Sequence, residues 1–319
     1  MSLSKDLLNA NQIFIGYNLS ATDRLKKYME PSLELEKGFH KDCFGIKTRY
    51  KFFNDIGGES VWGDLPFPDN KLYGEMIEIL ATCFAVEAGS DDMVVYELGA
   101  GFAPWLVCSA NFALKRCVRS LKLVAVEADP DRLPLIDTHF TDNGLPQSNQ
   151  SHPVVKTEIV HAAVSDVHGE LQFSAQSILD WGGGVTAAET ATDYRGMQSH
   201  QVSVPALPIE TLIAHETMVD LMHMDIQGYE FKSIAASLET VNSKVKSIVI
   251  GTHSRVIEGQ LIDLLRNNGW VLVFEKPCKF HASSRLPDVT GATYFDGTQF
   301  WINERLWPSD YDWADGVGA

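Results

Sequence analysis

The sequence predicts an α/β protein with a mostly parallel sheet, helices on both faces and a terminal antiparallel hairpin, preceded by an N-terminal helical extension. Three observations predict it. Seven short β-rich runs follow residue 91, most of them separated by amphipathic segments, as in strand–helix–strand units. The first run ends in "ELGAG", an acid followed by a Gly-x-Gly turn. The 319 residues are 45% hydrophobic, enough to bury a packed core.

Residues 1–90 carry helical pieces and loops. "SATDRLKKYMEPSLELEKGF" is charged and broken at Pro31, and "GGESVWGDLPFPDN" is a Gly/Pro loop holding Trp62. Met76, Ile77, Leu80 and Phe84 recur at helical spacing and predict a core-facing helix. The β-rich runs are "MVVYEL", "LKLVAVEA", "VKTEIVHAAV", "VDLMHMDI", "VKSIVIGTH", "WVLVFEK" and "QFWIN". The last two follow each other with no helix between them, which predicts an antiparallel hairpin at the sheet edge. Residues 174–200 break the rhythm with a triple glycine and few apolar residues, and read as a lid-like insertion. The tail, 306–319, is acidic and predicted to fray. The expected organisation is an extension (1–90) capping the site, a catalytic domain (91–305) and the tail.

Composition narrows the partners. Lys and Arg number 26 against 42 Asp and Glu, a net charge of −16. Such a chain is repelled by phosphate backbones and anionic membrane surfaces, so neither nucleic acid nor membrane is expected as a partner. Five cysteines are scattered with no CxxC pair, which reads as reduced thiols in a cytoplasmic protein. The N-terminus lacks a charged start followed by an apolar core, so no signal peptide is expected. No apolar run approaches the ~20 residues of a membrane helix.

The chemistry is expected at the end of the first run. Gly99 and Gly101 let the backbone turn sharply and approach a ligand, because glycine has no Cβ. Pro104 suits the first turn of a helix, whose N-terminus would then offer free N–H groups to a polar ligand. Glu97 stands just before the turn, where open α/β sheets bind ligands. Glu127 ends the second run, where dinucleotide folds place an acid on the ribose hydroxyls. In this order the residues predict a nucleoside-bearing cofactor. A nicotinamide-dependent oxidoreductase and a non-catalytic cofactor-binding homologue are the alternatives. The third glycine of the dinucleotide fingerprint is missing, and Glu97 favours a methyl donor, since it can face a sulfonium or an ammonium.

The chain resembles the FkbM family of S-adenosylmethionine-dependent methyltransferases over roughly residues 92–305. The resemblance rests on "ELGAGFAPW", "AVEADPDRL" with "HFTDNG", "HAAVSDVHGELQF" and "VDLMHMDIQGYEFKSI", and continues in "VKSIVIGTHS", "NNGW" and "DGTQFWIN". It implies a seven-stranded, Rossmann-like class I sheet that binds S-adenosylmethionine. By position, Glu97, Gly99, Ala100, Gly101 and Trp105 would line the methionine and ribose part, and Glu127 with Ala128 the ribose. Ala163, Ser165 and Asp166 would lie by the adenine, and Asp225 beside the transferring methyl. The family often has Lys where this chain has His223, which by its apolar neighbours reads as structural.

Methyl transfer to a hydroxyl needs alignment, exclusion of water and a base. Asp225 and His253, each after a β-rich run, are the candidate catalytic residues. Gln227, Trp62 and Trp181 are the candidate substrate contacts, the tryptophans through stacking on a sugar face. Asp225 with Glu230 or His253 could ligate a divalent ion, but the sequence shows no dense ligand cluster and no metal is expected. The predicted reaction is O-methylation of a sugar or secondary-metabolite hydroxyl, on a small-molecule or glycan acceptor.

Overall fold

The computed structural model describes residues 15–53, 59–61, 63–65, 74–148, 150–175, 184–185, 200–280, 293–309 and 311. Its centre is a seven-stranded sheet: β1 (Asp92–Leu98), β2 (Ser120–Glu127), β3 (Val155–His161), β4 (Leu221–Met224), β5 (Ser247–Thr252), β6 (Trp270–Lys276) and β7 (Gly297–Asn303). The order across the sheet is β6-β7-β5-β4-β1-β2-β3. Only β7 runs antiparallel, and it does so to both neighbours. The expected terminal hairpin is therefore present, but its second strand is inserted between β5 and β6 rather than lying at the edge. All seven residues of β7 are buried, which explains the choice: "GTQFWIN" is too apolar to leave one edge in water.

The strands read as apolar runs because both faces are covered. On one face, Val95, Leu123, Leu221 and Phe300 pack under α1 (Met76–Ala88), α2 (Pro104–Lys115) and α3 (Leu133–Asp142). On the other, Tyr96, Val124, Met222 and Trp301 pack against α4 (Glu230–Ala236) and α5 (Arg255–Asn267). Helix α1 belongs to this core: eleven of its thirteen residues are buried. Removing that much apolar surface from water, at roughly 25 cal/mol per Å², is the main force holding the layers together.

Ahead of α1, the described residues of the extension carry strands as well as helical turns. It contains 3-10 turns at Leu19–Tyr28 and Tyr50–Phe52, and a small sheet of Phe39–Lys41, Lys47–Arg49 and Ser60–Val61. Tyr28 and Phe44 sit on Phe112 of α2, and Arg49 forms a two-pronged ion pair with Asp142 of α3. A second small sheet pairs Gly169–Ala175 with His200–Leu207 along seven residues, and the sequence reading did not anticipate it. The lid-like stretch 174–200 lies largely outside the described residues, as do Trp62 and Trp181. Where the tail is described it is docked rather than frayed. Tyr311 donates to Glu87 at 2.7 Å, and its ring meets Phe84 and Trp307. Among the described residues no helix is long and apolar enough to cross a membrane.

Candidate active site

The strand order reverses between β1 and β4, and a cavity of about 370 Å³ opens at the carboxyl ends of these strands. Its floor is the glycine turn. Gly99 has φ +78°, and a Cβ there would lie 1.9 Å from the Asp225 carbonyl oxygen. The turn is held from both sides. The Gly99 and Ala100 N–H groups donate to Val126 O, and Asp225 N–H donates to Leu98 O.

Glu127 lines the cavity and is almost fully buried. Its Oε2 accepts from Gly101 N–H at 2.6 Å and its Oε1 from Asp129 N–H at 2.8 Å. Burial raises its pKa above the ordinary value, against the pull of Arg132 and of these two donors. The acid and the turn are thus one hydrogen-bonded unit.

Glu97 lines the cavity, as expected, but its oxygens also cap the following helix. Its two oxygens accept from Trp105 N–H (3.3 Å) and Leu106 N–H (2.9 Å) in the first turn of α2. These N–H groups are therefore not free for a ligand. The physical reason is that a buried carboxylate needs donors, and a helix start supplies both N–H groups and a favourable dipole. Burial, with Glu78 and Asp225 nearby, still pushes Glu97 well above the usual carboxylate range.

Ala100, Gly101, Trp105, Ala128, Ala163, Asp225 and Gln227 also line the cavity. Ser165 and Asp166 do not. Ala163–Val164 already pairs with Ala206–Leu207 in the second small sheet, Ser165 N–H donates to Leu207 O, and Asp166 is exposed. Phe173 and Arg132, absent from the sequence reading, join the wall at this end. Phe53 of the extension also reaches it.

Asp225 is half-exposed at the rim, and Gln227 donates to its Oδ1 at 3.0 Å. His253 does not reach the cavity wall. It is 1% exposed and sits behind Asp225, with Nε2 3.2 Å from Asp225 Oδ1 and Nδ1 2.9 Å from Glu230 Oε1. Burial works against ionising Asp225, but His253 outweighs it and holds the carboxylate below its ordinary value. The fold therefore gathers the three residues that the sequence offered as possible ligands into one cluster: ligand atoms of Asp225, Glu230 and His253 lie within 4.8 Å of one another. An imidazole between two carboxylates satisfies their charge from within the cluster.

His223 is not simply a core residue. It lines the cavity, its ring stacked on Trp105 at 4.9 Å and its Nε2 3.2 Å from Glu78 Oε1. Sequence reasoning did not find Glu78. The available signal was Glu75-x-x-Glu78 before an apolar run, the spacing of a helix-capping pair.

The sequence profile of the methyltransferase FkbM domain matches residues 97–272, more than half of the chain. The chain belongs to the FkbM methyltransferase family. A relative from Jannaschia sp. (strain CCS1), itself carrying a methyltransferase name, is 28% identical over 222 residues, 66% of this chain and 74% of its own length. Among solved structures, a methyltransferase FkbM from Methylobacillus flagellatus KT matches with TM-score 0.38 at 12% identity, over 67% of this chain and 44% of its own. Precorrin-6y C5,15-methyltransferase from Geobacter metallireducens GS-15 matches with TM-score 0.40 at 12% identity, over 76% and 94%. The FkbM profile begins at Glu97 and spans the glycine turn, Glu127, His223, Asp225 and His253, so the cavity wall and the family domain largely coincide.

Proposed function

We propose that this FkbM-family protein is an S-adenosylmethionine-dependent methyltransferase acting on a hydroxyl of a sugar or secondary metabolite. The observation that carries the reading is the unit made by Glu127, the Gly99–Gly101 turn and Asp225 along one continuous cavity. Its parts fit the cofactor. The turn admits a ligand close to the backbone, Glu127 suits ribose hydroxyls, and the apolar wall of Ala162, Ala163, Val164 and Phe173 suits a purine. When bound, the cofactor supplies an electrophilic methyl on a sulfonium.

The chain's own residues would do the rest. Asp225, ionised through His253, accepts a hydrogen bond from the acceptor hydroxyl and takes its proton as the methyl is accepted. Gln227 orients Asp225, and Glu230 holds His253 from behind. The extension, through Phe53, would cover part of the cavity and help to exclude water.

Calorimetric titration with S-adenosylhomocysteine tests the reading. Wild type should bind in the micromolar range and Glu127→Ala at least tenfold more weakly. Transfer of labelled methyl to a panel of hydroxylated acceptors then tests the reaction. A thermal shift with NAD but none with S-adenosylmethionine would replace the reading with a hydride-transfer enzyme.

A further inference from the structure

Beyond Asp225 the cavity continues away from the glycine turn, along a wall of Gly251, Asp296, Gly297 and Thr298. The sheet builds this arm. Met224 is level with Ile250, so Asp225 comes level with Gly251, and Gly251 pairs with Thr298 of β7. Asp225 and the β7 backbone thus stand two strand spacings apart, about 10 Å, with a glycine between them. Gly251 keeps the gap open, since a Cβ there would lie 3.2 Å from Asp225 Cγ. Asp296, just before β7, lines the far side. The Thr293 hydroxyl donates to the His253 carbonyl at 2.5 Å and ties the segment leading into Asp296 to the end of β5.

The two carboxylates define what fits between them. Asp225 Oδ1 is engaged by Gln227 and His253, whereas Oδ2 lies on the Gly251 side, 3.4 Å from where a Cβ would stand. Asp296 is exposed, and among the described residues no hydrogen bond or ion pair occupies its carboxylate. Ionised carboxylates only accept, so a molecule spanning the gap has to bring a donor to each. A vicinal diol does so, with one hydroxyl on Asp225 and its neighbour on Asp296. A uronate or a sugar phosphate would meet like charge at both ends. Tyr294 and Phe295 precede Asp296, and Phe280 lies on the strand paired with theirs; all three are exposed. Aromatic rings beside a polar pocket suit the C–H face of a pyranose.

We propose that Asp296 sets acceptor specificity: with Asp225 it clasps the vicinal diol of a neutral sugar ring, so that the hydroxyl on Asp225 is methylated while Asp296 holds its neighbour. The proposal rests on the methyltransferase reading above and narrows its acceptor. Labelled methyl transfer from S-adenosylmethionine tests it. The probes are methyl pyranosides of gluco, manno and galacto configuration, their uronates, 1,2-cyclohexanediol, 2-aminocyclohexanol and cyclohexanol. Wild type should favour at least one neutral diol over cyclohexanol by about tenfold or more in kcat/KM, and should leave the uronates unmethylated. Asp296→Ala should raise KM for that diol by about ten- to a hundredfold, with cyclohexanol turnover and S-adenosylhomocysteine binding within about twofold of wild type. Asp296→Asn keeps an acceptor oxygen without the charge, so it should recover part of the loss and admit the uronates.

If wild type methylates cyclohexanol as well as the diols, or none of the probes while binding S-adenosylhomocysteine, the assignment is overturned without recourse to any variant and the cofactor reading stands. A preference for 2-aminocyclohexanol that disappears in Asp296→Ala would overturn the neutral diol in favour of an ammonium partner. Equal loss of diol and cyclohexanol turnover in Asp296→Ala would overturn it too, by showing a merely structural role. A wild type that binds no S-adenosylhomocysteine would overturn the cofactor reading and this assignment with it.

Discussion

At the residue scale, Gly99 is where sequence and site meet most directly. An alanine there has to adopt φ +78° and place its Cβ 1.9 Å from the Asp225 carbonyl oxygen. Gly144 is the natural control. Its φ is +71°, but a Cβ would meet nothing within 4 Å. Gly144→Ala should therefore cost only about 1–2 kcal/mol, the strain of a left-handed residue. Gly99→Ala should cost more than that and abolish S-adenosylhomocysteine binding, because β1 and β4 must part to admit the methyl group. Urea denaturation with calorimetry on both variants checks this; equal costs would remove the clash argument. The Gly-x-Gly turn and Glu127 were legible in the sequence because their meaning lies in local order: strand, acid, turn, helix, strand, acid. The pairing of Glu78 with His223 was not, since the two are 145 residues apart and meet only through packing of α1 on the sheet.

At the scale of elements, the first turn of α2 joins the fold to the site. Pro104 needs no N–H partner, and Glu97 supplies the acceptors for the next two N–H groups. Glu97→Ala orphans both and should lower stability by about 2 kcal/mol, with Glu97→Gln, which keeps one acceptor, costing about half of that. Chemical denaturation reads the difference; equal stability of the three proteins would show that water replaces the cap. The sequence displayed the proline and the acid but not the bond between them, because an acid eight residues before an N–H looks like a ligand contact. A similar limit hid the sheet of Gly169–Ala175 and His200–Leu207. Its strands are separated by a long polar stretch, so no hairpin turn signalled their pairing. The β7 insertion escaped for another reason: strand order is set by which edges are left to cover, not by the strand's own residues.

At the scale of the whole molecule, the buried titratable groups set how stability depends on pH. Burial holds His40, His139 and His223 at about 4, 4 and 3, against an ordinary 6.5. The unfolded chain takes up protons there below pH 6.5 that the folded chain refuses, so these groups make stability fall as pH drops. Burial acts oppositely on Asp42, raised to about 7, and on Glu97, Glu127 and Asp296, also raised. The folded chain keeps protons that the unfolded chain has already released, so these groups make stability fall as pH rises. Between about pH 4.5 and 6.5 the two sets oppose each other and the stability curve should be nearly flat. Above 6.5 the histidine gain is complete, so the loss from Asp42 and Glu97 is no longer opposed, and a further loss joins it. His253 is buried, which disfavours its charge, but Glu230 and Asp225 outweigh burial and raise it well above 6.5. The folded chain therefore holds a proton that the unfolded chain gives up. His253 alone removes about 1.4 kcal/mol of stability per pH unit from there until its folded value is passed. Melting temperature followed from pH 5 to 9 should thus stay level to about 6.5 and then decline. Glu230→Gln removes the carboxylate that supports the His253 charge most strongly, so its decline should be shallower. A decline as steep in the variant as in the wild type would place the responsible proton elsewhere and detach His253 from the ionised state of Asp225.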